Sequence, residues 1–297
     1  MIRGKLALLA AKPAAAGAFL GYIVLAGMAQ AQTAGEQIVG APRPNQIGMP
    51  EAVTDIGHEI NLFHDAILLP IITIISLFVL GLLIYVSMKF HESKNPVPTR
   101  TTHNAVLEVA WTVIPVLILL FIAAFSFPLL TKQLVLPKAD HTIKVSGTPG
   151  WAWQWTYPKE ENGGFDFISK LLDQDKLPAG KLRLLDVDNE AVVPVNKIIR
   201  VQVTADPAGI IHGFVIPSFG IRVDAVPGRL NETWFKADKE GIYYGQCSKL
   251  CGKDHAYMPA VIRVVSEEQY KQWLAEAKKK FAANDGPVRL AEAGVAQ

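Results

Sequence analysis

The chain has 297 residues, of which half are hydrophobic and 19% are charged, and its formal net charge is +2. That hydrophobic fraction is high for a soluble protein. The excess lies before residue 131, which leaves enough chain for one globular domain of about 150 residues. Residues 1–31 carry three basic and no acidic side chains, and the rest of the chain has 26 basic and 27 acidic residues. This near-neutral balance gives no argument for nucleic-acid binding.

Residues 1–31 are typical of a secretory signal peptide that is cleaved from the mature protein. The basic start is followed by an apolar run over residues 14–28 and by the A-x-A pattern Ala29–Ala31, which predicts cleavage before Gln32. A first transmembrane helix is the alternative interpretation, but the run is short and contains three glycines. Export implies an oxidising compartment, in which cysteines need a specific role.

A transmembrane hairpin is predicted over residues 64–131, after a polar N-terminal segment, residues 32–63. Residues 66–88 include no charged side chain, and neither do residues 109–130. At a rise of about 1.5 Å per residue, either run is long enough to span a hydrocarbon core of about 30 Å. Two such spans joined by a short loop form an antiparallel hairpin.

The orientation of the hairpin follows from its basic residues. Residues 44–88 contain no Lys or Arg, whereas the loop between the spans carries Lys89, Lys94 and Arg100. Because basic residues favour the cytoplasmic side, we expect the loop in the cytoplasm and both mature termini in the periplasm. The predicted localisation is the inner membrane of a bacterium, with a large C-terminal domain outside the cytoplasm.

An all-β domain is predicted over residues 132–266, because short runs rich in Val, Ile, Thr and aromatic residues are separated by Pro and Gly. The predicted strands are residues 142–146, 198–204, 213–216, 232–236, 241–246 and 260–265. Their close spacing, without a βαβ rhythm, favours a Greek-key sandwich or barrel. Residues 267–297 are predicted to form a C-terminal amphipathic helix and tail, since Ser266 and Gln269 make a capping box.

The chain's two cysteines, Cys247 and Cys251, lie in one short segment together with His255 and Met258. Thiolate, imidazole and thioether ligands suit copper better than magnesium or calcium. His212 is a candidate for a second imidazole from an adjacent strand. A disulfide between the cysteines and a zinc site with the two histidines are the alternatives. The joint spacing C-x3-C-x3-H-x2-M favours copper over both.

The second cysteine indicates the kind of copper site. A mononuclear blue-copper site needs one thiolate, two histidines and a weak axial methionine. A second thiolate lets both sulfurs bridge two copper ions, each with one imidazole and one weak ligand, and one electron is then shared between the metals. We therefore predict a dinuclear, mixed-valence centre of two copper ions that transfers electrons and has no open position for a substrate.

Four motifs in the chain resemble those of a known family. They are DAVPGRLN (Asp224–Asn231), YGQC (Tyr244–Cys247), Cys251–Gly252 and HAYMP (His255–Pro259). From the first span to the terminal helix, the chain resembles subunit II of the haem–copper cytochrome c oxidases, in the form found in alpha-proteobacteria and mitochondria. The resemblance implies a cupredoxin-like sandwich on a transmembrane hairpin, whose dinuclear copper centre accepts electrons from cytochrome c.

The resemblance also implies which residues carry this function. Electrons pass from the copper centre to haem in subunit I, where oxygen is reduced and protons are pumped, and subunit III completes the implied complex. The implied copper ligands are His212, Cys247, the backbone carbonyl of Lys249, Cys251, His255 and Met258. Trp151 resembles the exposed tryptophan that admits the electron, although its spacing also fits an aromatic core strand. Glu108 resembles the entrance of a proton channel, although it also fits an ordinary interfacial carboxylate.

Lys249 departs from the family pattern. The family usually has Glu at this position, where the side chain also binds a Mg or Mn ion shared with subunit I. An ammonium group cannot do that, so the resemblance does not extend to this second metal site. Quinol oxidase subunits II have the same architecture but lack the copper ligands. The alternative from another functional class is a membrane-anchored copper-delivery module. Neither a quinol oxidase subunit nor such a module accounts for the complete set of Cys, His and Met.

Acidic residues between positions 160 and 190 suggest how a donor protein would dock. They are Asp166, Asp173, Asp175, Asp186, Asp188 and Glu190. An acidic rim would steer a basic protein such as cytochrome c and make its association rate fall with salt. A solvated loop surface is the alternative interpretation of the same residues.

Overall fold

The computed structural model describes residues 39–97, 99–162 and 164–281, so the predicted signal peptide and the tail beyond residue 281 lie outside the described residues. The helices are α1 (Asp55–Phe63), α2 (Leu69–Lys89), α3 (Ala105–Leu134), α4 (Lys159–Asn162) and α5 (Glu267–Phe281). The strands are β1 (His141–Gly147), β2 (Trp153–Tyr157), β3 (Phe165–Ser169), β4 (Ala191–Pro194), β5 (Ile199–Ala205), β6 (His212–Ile216), β7 (Ile221–Ala225), β8 (Asn231–Phe235), β9 (Gly241–Gln246) and β10 (Pro259–Val265).

Within the described residues, two helices are long and apolar enough to cross a membrane. The first runs from Asp55 to Lys89 and joins α1 to α2 through a π-helical turn, His64–Leu68, and the second is α3. Both extend beyond the predicted apolar runs because polar residues cap their N-termini. Thr54 Oγ1 accepts a hydrogen bond from the backbone of α1, and Asn104 Oδ1 accepts two from the backbone of α3. A count of uncharged residues finds the membrane-crossing part of a helix but not its caps.

The β-strands form a sandwich of two sheets with one additional hairpin. One sheet has the strand order β3-β2-β1-β5-β8, the other has the order β4-β10-β9, and β6 pairs with β7. The pairs β1–β5 and β4–β10 are parallel and the remaining pairs are antiparallel, so the chain crosses between sheets instead of forming a simple meander. Alternate residues of β2 and β5 are fully buried between the sheets, as expected for strands with one face in the core.

Of the ten strands in the described part of the chain, six begin and end within one residue of their predicted positions. Strands β2, β3, β4 and β7 were not predicted as separate elements. Strand β7 includes the charged residues Arg222 and Asp224, so its sequence does not show the apolar pattern of a strand. Its antiparallel pairing with β6 stabilises it in the fold. The capping box of α5 is confirmed, because Ser266 and Gln269 exchange side-chain-to-backbone hydrogen bonds of 3.3 and 3.2 Å.

The segment before α1 attaches the first membrane helix to the β-domain. The buried hydroxyl of Thr54 donates a 2.9 Å hydrogen bond to the carbonyl of Phe219, and the backbone N–H of Val53 donates to the carbonyl of Ser218. The second membrane helix is attached as well, since the indole N–H of Trp234 donates a 3.2 Å bond to the carbonyl of Lys132. The hairpin and the β-domain are therefore joined at both membrane helices.

We expect Thr54→Val to weaken this joint by about 1–3 kcal/mol. The substitution keeps the β-branched shape but removes an N-cap, worth about 1 kcal/mol, and a buried hydrogen bond of similar worth. Thermal unfolding of the full chain in detergent, followed by tryptophan fluorescence, measures the loss. The matched control is Thr156→Val on β2, where valine suits the strand. Equal melting temperatures for the two variants would contradict the assigned role of Thr54.

Candidate metal centre

The predicted metal ligands converge at one end of the sandwich, although they come from separate elements. His212 is the first residue of β6, Cys247 directly follows β9, and Met258 directly precedes β10. Strands β9 and β10 are antiparallel neighbours, so the loop between them closes one end of the sheet. Cys251 and His255 lie within that loop, and His255 opens a short 3-10 turn.

The side chains of these residues lie close together. The Sγ atoms of Cys247 and Cys251 are 3.7 Å apart, and Cys251 Sγ lies 3.5 Å from Nδ1 of His255 and 3.6 Å from Sδ of Met258. A ring nitrogen of His212 and the two sulfurs lie within 4.8 Å of one another. The structure therefore brings together two thiols, two imidazoles and one thioether.

The backbone carbonyl of Lys249 faces the same cluster. Its oxygen accepts a 3.2 Å contact from the Cys247 thiol. The resemblance implies a ligand role for this carbonyl that needs no particular side chain, and the carbonyl oxygen lies beside the sulfur of Cys247. Each of the six groups expected from the sequence thus lies within 4.8 Å of at least one other member of the cluster.

His212 shows that the site suits a metal. Its side chain is fully buried, yet neither ring nitrogen has a hydrogen-bond partner among the described residues. Burying an unpaired polar group costs free energy, so such atoms usually have an unseen partner. Burial lowers the pKa of His212, the backbone of Thr148 opposes that shift, and the nearby His255 adds to it. The neutral imidazole that burial favours is the form that binds metals.

The two cysteines are free thiols in the described residues, and their sulfur separation is well beyond the ~2.05 Å of a disulfide bond. Burial, reinforced by the neighbouring Cys247, raises the pKa of the Cys251 thiol to about 12. Without a metal, this thiol therefore keeps its proton at neutral pH. Metal binding to Cys251 must release that proton, because the thiolate is the ligand.

Two glycines allow the close approach of the elements that carry the ligands. A Cβ atom on Gly147 would lie 2.4 Å from the ring of His212, and one on Gly213 would lie 2.5 Å from the hydroxyl of Ser248. The backbone N–H of Gly213 also donates a 3.4 Å hydrogen bond to Cys247 Sγ. The hairpin of β6 and β7, which begins at His212, is therefore in direct backbone contact with the loop between β9 and β10, which carries both cysteines. These two segments are called the histidine hairpin and the cysteine loop.

Trp151 lies beside the cluster but outside the core. It precedes β2, has a left-handed backbone (φ 52°), and is partly buried. Its indole N–H donates a 2.9 Å hydrogen bond to the carbonyl of Cys251, and its ring packs on Gly252, where a Cβ would approach to 2.9 Å. Lys253 Nζ lies 5.4 Å from the ring centroid. The core-strand interpretation therefore applies to Trp153 and not to Trp151.

Trp153 is a supporting residue that the sequence reasoning missed. It is fully buried, its indole N–H donates a 3.1 Å hydrogen bond to the carbonyl of Met258, and its ring centroid lies 5.9 Å from that of His212. The alternation of tryptophans at positions 151, 153 and 155 was a signal, because period two places Trp153 and Trp155 on one strand face.

Glu108 lies far from the cluster, in the first turn of α3. It is exposed, and its carboxylate accepts a 3.3 Å hydrogen bond from the backbone N–H of Asn104. Lys132, at the other end of α3, is about 36 Å away at 1.5 Å per residue. Glu108 therefore contributes to the helix cap at the end of the membrane helix opposite the β-domain.

The acidic rim expected between residues 160 and 190 is only partly present. Asp186 is buried, where it accepts hydrogen bonds from Tyr244 and Lys181, and Glu190 is paired with Arg263 and Lys181. These two carboxylates are neutralised inside the domain, since a buried charge requires a partner, and they cannot attract a distant protein. The exposed members of the set are Asp166, Asp173, Asp175 and Asp188.

Comparisons with known proteins agree with this geometry. The family "Cytochrome C oxidase subunit II, transmembrane domain" matches residues 42–129, and "Cytochrome C oxidase subunit II, periplasmic domain" matches residues 142–265. Cytochrome c oxidase subunit 2 of Cereibacter sphaeroides is 43% identical over 271 residues, which cover 86% of this chain and 88% of that protein. The chain belongs to the cytochrome c oxidase subunit II family.

A second curated relative agrees with this assignment, and one solved structure is similar to part of the chain. The probable cytochrome c oxidase subunit 2 of Rickettsia bellii is 46% identical over 250 residues, covering 84% of this chain and 90% of that protein. A solved structure, the periplasmic domain of subunit II of cytochrome oxidase of Bradyrhizobium japonicum, is 58% identical, with a TM-score of 0.45, and covers 50% of this chain and 99% of that chain.

Membership of the cytochrome c oxidase subunit II family confirms the main sequence predictions. The chain is a subunit of a haem–copper oxidase, an oxidoreductase complex, and its partners are the other oxidase subunits. It has two membrane-spanning helices and a periplasmic β-sandwich domain. Copper binding and a role in copper-dependent electron transfer follow from the family, and the His, Cys and Cys group is consistent with them.

We expect Gly213→Ala to reduce copper affinity by about tenfold or more. The added methyl group would meet Ser248 and the backbone nitrogen of Lys249 at 2.5 and 2.9 Å. Overpacking of this kind costs about 1–3 kcal/mol, and about 1.4 kcal/mol corresponds to a factor of ten in affinity. Copper retained per chain after dialysis against graded chelator measures the effect.

The matched control for that measurement is Gly150→Ala, where the nearest atom to an added Cβ is 3.9 Å away. It should retain copper like the wild type. If Gly213→Ala and Gly150→Ala lose copper at the same chelator concentration, the close contact at Gly213 does not position the cysteine loop.

Proposed function

We propose that this chain accepts electrons from cytochrome c at a centre of two copper ions and delivers them to the haem of subunit I. The observation that carries the proposal is the convergence of two thiols, two imidazoles, a thioether and a carbonyl at one end of the sandwich. One of the two imidazoles, that of His212, is fully buried, and neither of its ring nitrogens has a hydrogen-bond partner in the described part of the chain. Soft and borderline donors in this combination suit copper.

The proposed ligands are His212, Cys247, the carbonyl of Lys249, Cys251, His255 and Met258. When bound, the copper pair would supply a carrier that gains and loses one electron. The chain's own residues keep the donors in place: the N–H of Gly213 bonds to a cysteine sulfur, and the indole of Trp153 holds the backbone of Met258. Donors fixed in advance change little when the charge of the site changes, which favours electron transfer.

Trp151 is the proposed point at which the electron enters. Its partly exposed ring lies at the surface, and its indole N–H bonds directly to the carbonyl of the ligand residue Cys251. A donor that docks over this ring would lie one hydrogen bond from the metal ligands. The proposed donor is cytochrome c.

The membrane arrangement completes the proposal. We propose that the chain lies in the inner membrane with both mature termini in the periplasm, next to subunits I and III. Residues 1–31 would then be a cleaved signal peptide, residues 64–131 the membrane hairpin, and residues 132–266 the copper domain. Glu108 would lie on the cytoplasmic side, where an ionisable residue at a helix end is a candidate entrance for protons.

We expect the full chain in detergent to bind two copper ions and to give a seven-line EPR hyperfine pattern when oxidised. One unpaired electron shared equally by two copper nuclei gives seven lines, whereas an electron on one copper gives four. Cys251→Ser should abolish the seven-line pattern, because it removes one of the two thiolates that would hold the copper pair. A four-line signal from the wild type, or no bound copper, would contradict the proposal.

We expect Trp151→Phe to slow the oxidation of reduced cytochrome c by about tenfold or more, equivalent to about 1.4 kcal/mol. The substitution removes the indole and its hydrogen bond to Cys251. Stopped-flow mixing of the oxidase with reduced cytochrome c gives the rate, and the seven-line EPR pattern of the same variant checks that the copper pair is still bound.

The matched control is Trp273→Phe, since the Trp273 ring packs on Tyr157 and Phe165 in the contact between α5 and the sheet. It should accept electrons at the wild-type rate. If Trp151→Phe is as fast as Trp273→Phe, the electron enters elsewhere on the domain.

A further inference from the structure

Lys249 makes a contact that its proposed role as a carbonyl ligand does not require. Its backbone oxygen lies 3.2 Å from Cys247 Sγ, while its side-chain Nζ lies 2.9 Å from Oδ2 of Asp224. Asp224 belongs to β7 and pairs with Gly213 of β6, next to His212. The ion pair therefore connects the cysteine loop to the hairpin that carries the histidine.

The pair lies on a face that this chain leaves open. The side chains of Lys249 and Asp224 are 48% and 39% exposed, and the next residue in the loop, Leu250, is 83% exposed. Both charges therefore lie at the surface of this chain, and they are close to the proposed copper ligands because Lys249 also contributes its backbone carbonyl to that cluster.

The family pattern implies a Mg or Mn ion at this position, held partly by a carboxylate in the middle of the cysteine loop. The residues present do not fit such an ion. These cations take oxygen ligands, whereas an ammonium group offers donors only and no lone pair. Its positive charge would also repel a divalent ion bound to Asp224. The side chain of Lys249 therefore disagrees with the family's Mg or Mn site in its chemistry, not in its position.

A charge count explains how the site remains balanced. Two carboxylates with one divalent cation have no net charge, and neither has one carboxylate with one ammonium. We propose that the ammonium of Lys249 takes the place of the divalent cation, neutralising Asp224 and linking the cysteine loop to the histidine hairpin. This inference rests on the proposed copper function of the same loop.

The first test measures manganese in the complete oxidase, purified from cells grown with manganese in place of most magnesium. Metal analysis and Mn EPR should find stoichiometric manganese at this site in K249E, where a carboxylate stands beside Asp224, and none there in the wild type. Manganese retained by the wild type in the same amount as by K249E would overturn the proposal. So would a K249E oxidase that binds no more manganese than the wild type.

The second test measures the reduction potential of the copper centre by spectroelectrochemistry, with chelator and with manganese. Neither chelator nor manganese should change the copper potential of the wild type, because the cation beside Asp224 is the ammonium group of Lys249 and cannot be removed or exchanged. K249M should have a lower potential, since an unpaired Asp224 carboxylate favours the oxidised, more positive centre. The double variant K249M/D224N, which is neutral again, should return towards the wild-type value.

In chelator, K249E should have a lower copper potential than the wild type. Adding manganese should raise its potential towards the wild-type value. The control is K271E, a charge reversal at an exposed lysine on α5 that pairs with Glu267, which should leave the copper potential unchanged. If K249M and K249M/D224N share one potential, the pairing of Lys249 with Asp224 plays no part, and the inference is wrong.

These outcomes are separate from failure of the proposed function. The number of copper ions and their hyperfine pattern are measured on the same oxidase samples. Loss of the copper pair in the wild type contradicts the proposed function. A normal copper pair together with manganese in the wild type contradicts only the role of Lys249.

Discussion

The rest of the site depends on the burial of the His212 imidazole, whose nitrogens have no hydrogen-bond partner among the residues that the structure describes. The ring is fully enclosed, with the backbone of Gly147 on one side and the ring of Trp153 nearby. Leaving a buried polar group unpaired costs about 1–3 kcal/mol, and the sandwich core supplies that stability. Because both thiols lie within 4.8 Å of the ring, a soft metal ion is the partner that accounts for all three groups at once.

The hydrogen bonds around the cluster explain why a loop can hold such a site. Loops are usually the mobile part of a domain, but this one is restrained at three of its ligand residues. Gly213 bonds to the sulfur of Cys247, Trp151 to the carbonyl of Cys251, and the indole of Trp153 to the carbonyl of Met258. All three partners are on or next to sheet strands, so the ligands take their positions from the rigid part of the fold.

The sequence was most informative where chemistry or pattern was local. The spacing of the cysteines, His255 and Met258 indicated their convergence because they lie in one short loop. The charge of Asp224 hid the strand β7, and the burial of Asp186 could not be inferred because its partner Tyr244 is brought to it by the fold of the sandwich. In a sequence, a carboxylate whose hydrogen-bond donor is distant along the chain cannot be distinguished from a solvated carboxylate.

The joint between hairpin and β-domain determines how the site faces the membrane. The exposed ion pair between Lys132 and Glu59 contributes little, since such pairs are typically worth about 0–1 kcal/mol. The buried bond from Thr54 to the carbonyl of Phe219 contributes more, because breaking it leaves a buried polar group unsatisfied. Phe219 follows β6 by three residues, and β6 begins at His212. The restraint on the membrane helix and a proposed metal ligand are therefore seven residues apart in the chain, one in the turn that follows β6 and the other at the start of β6.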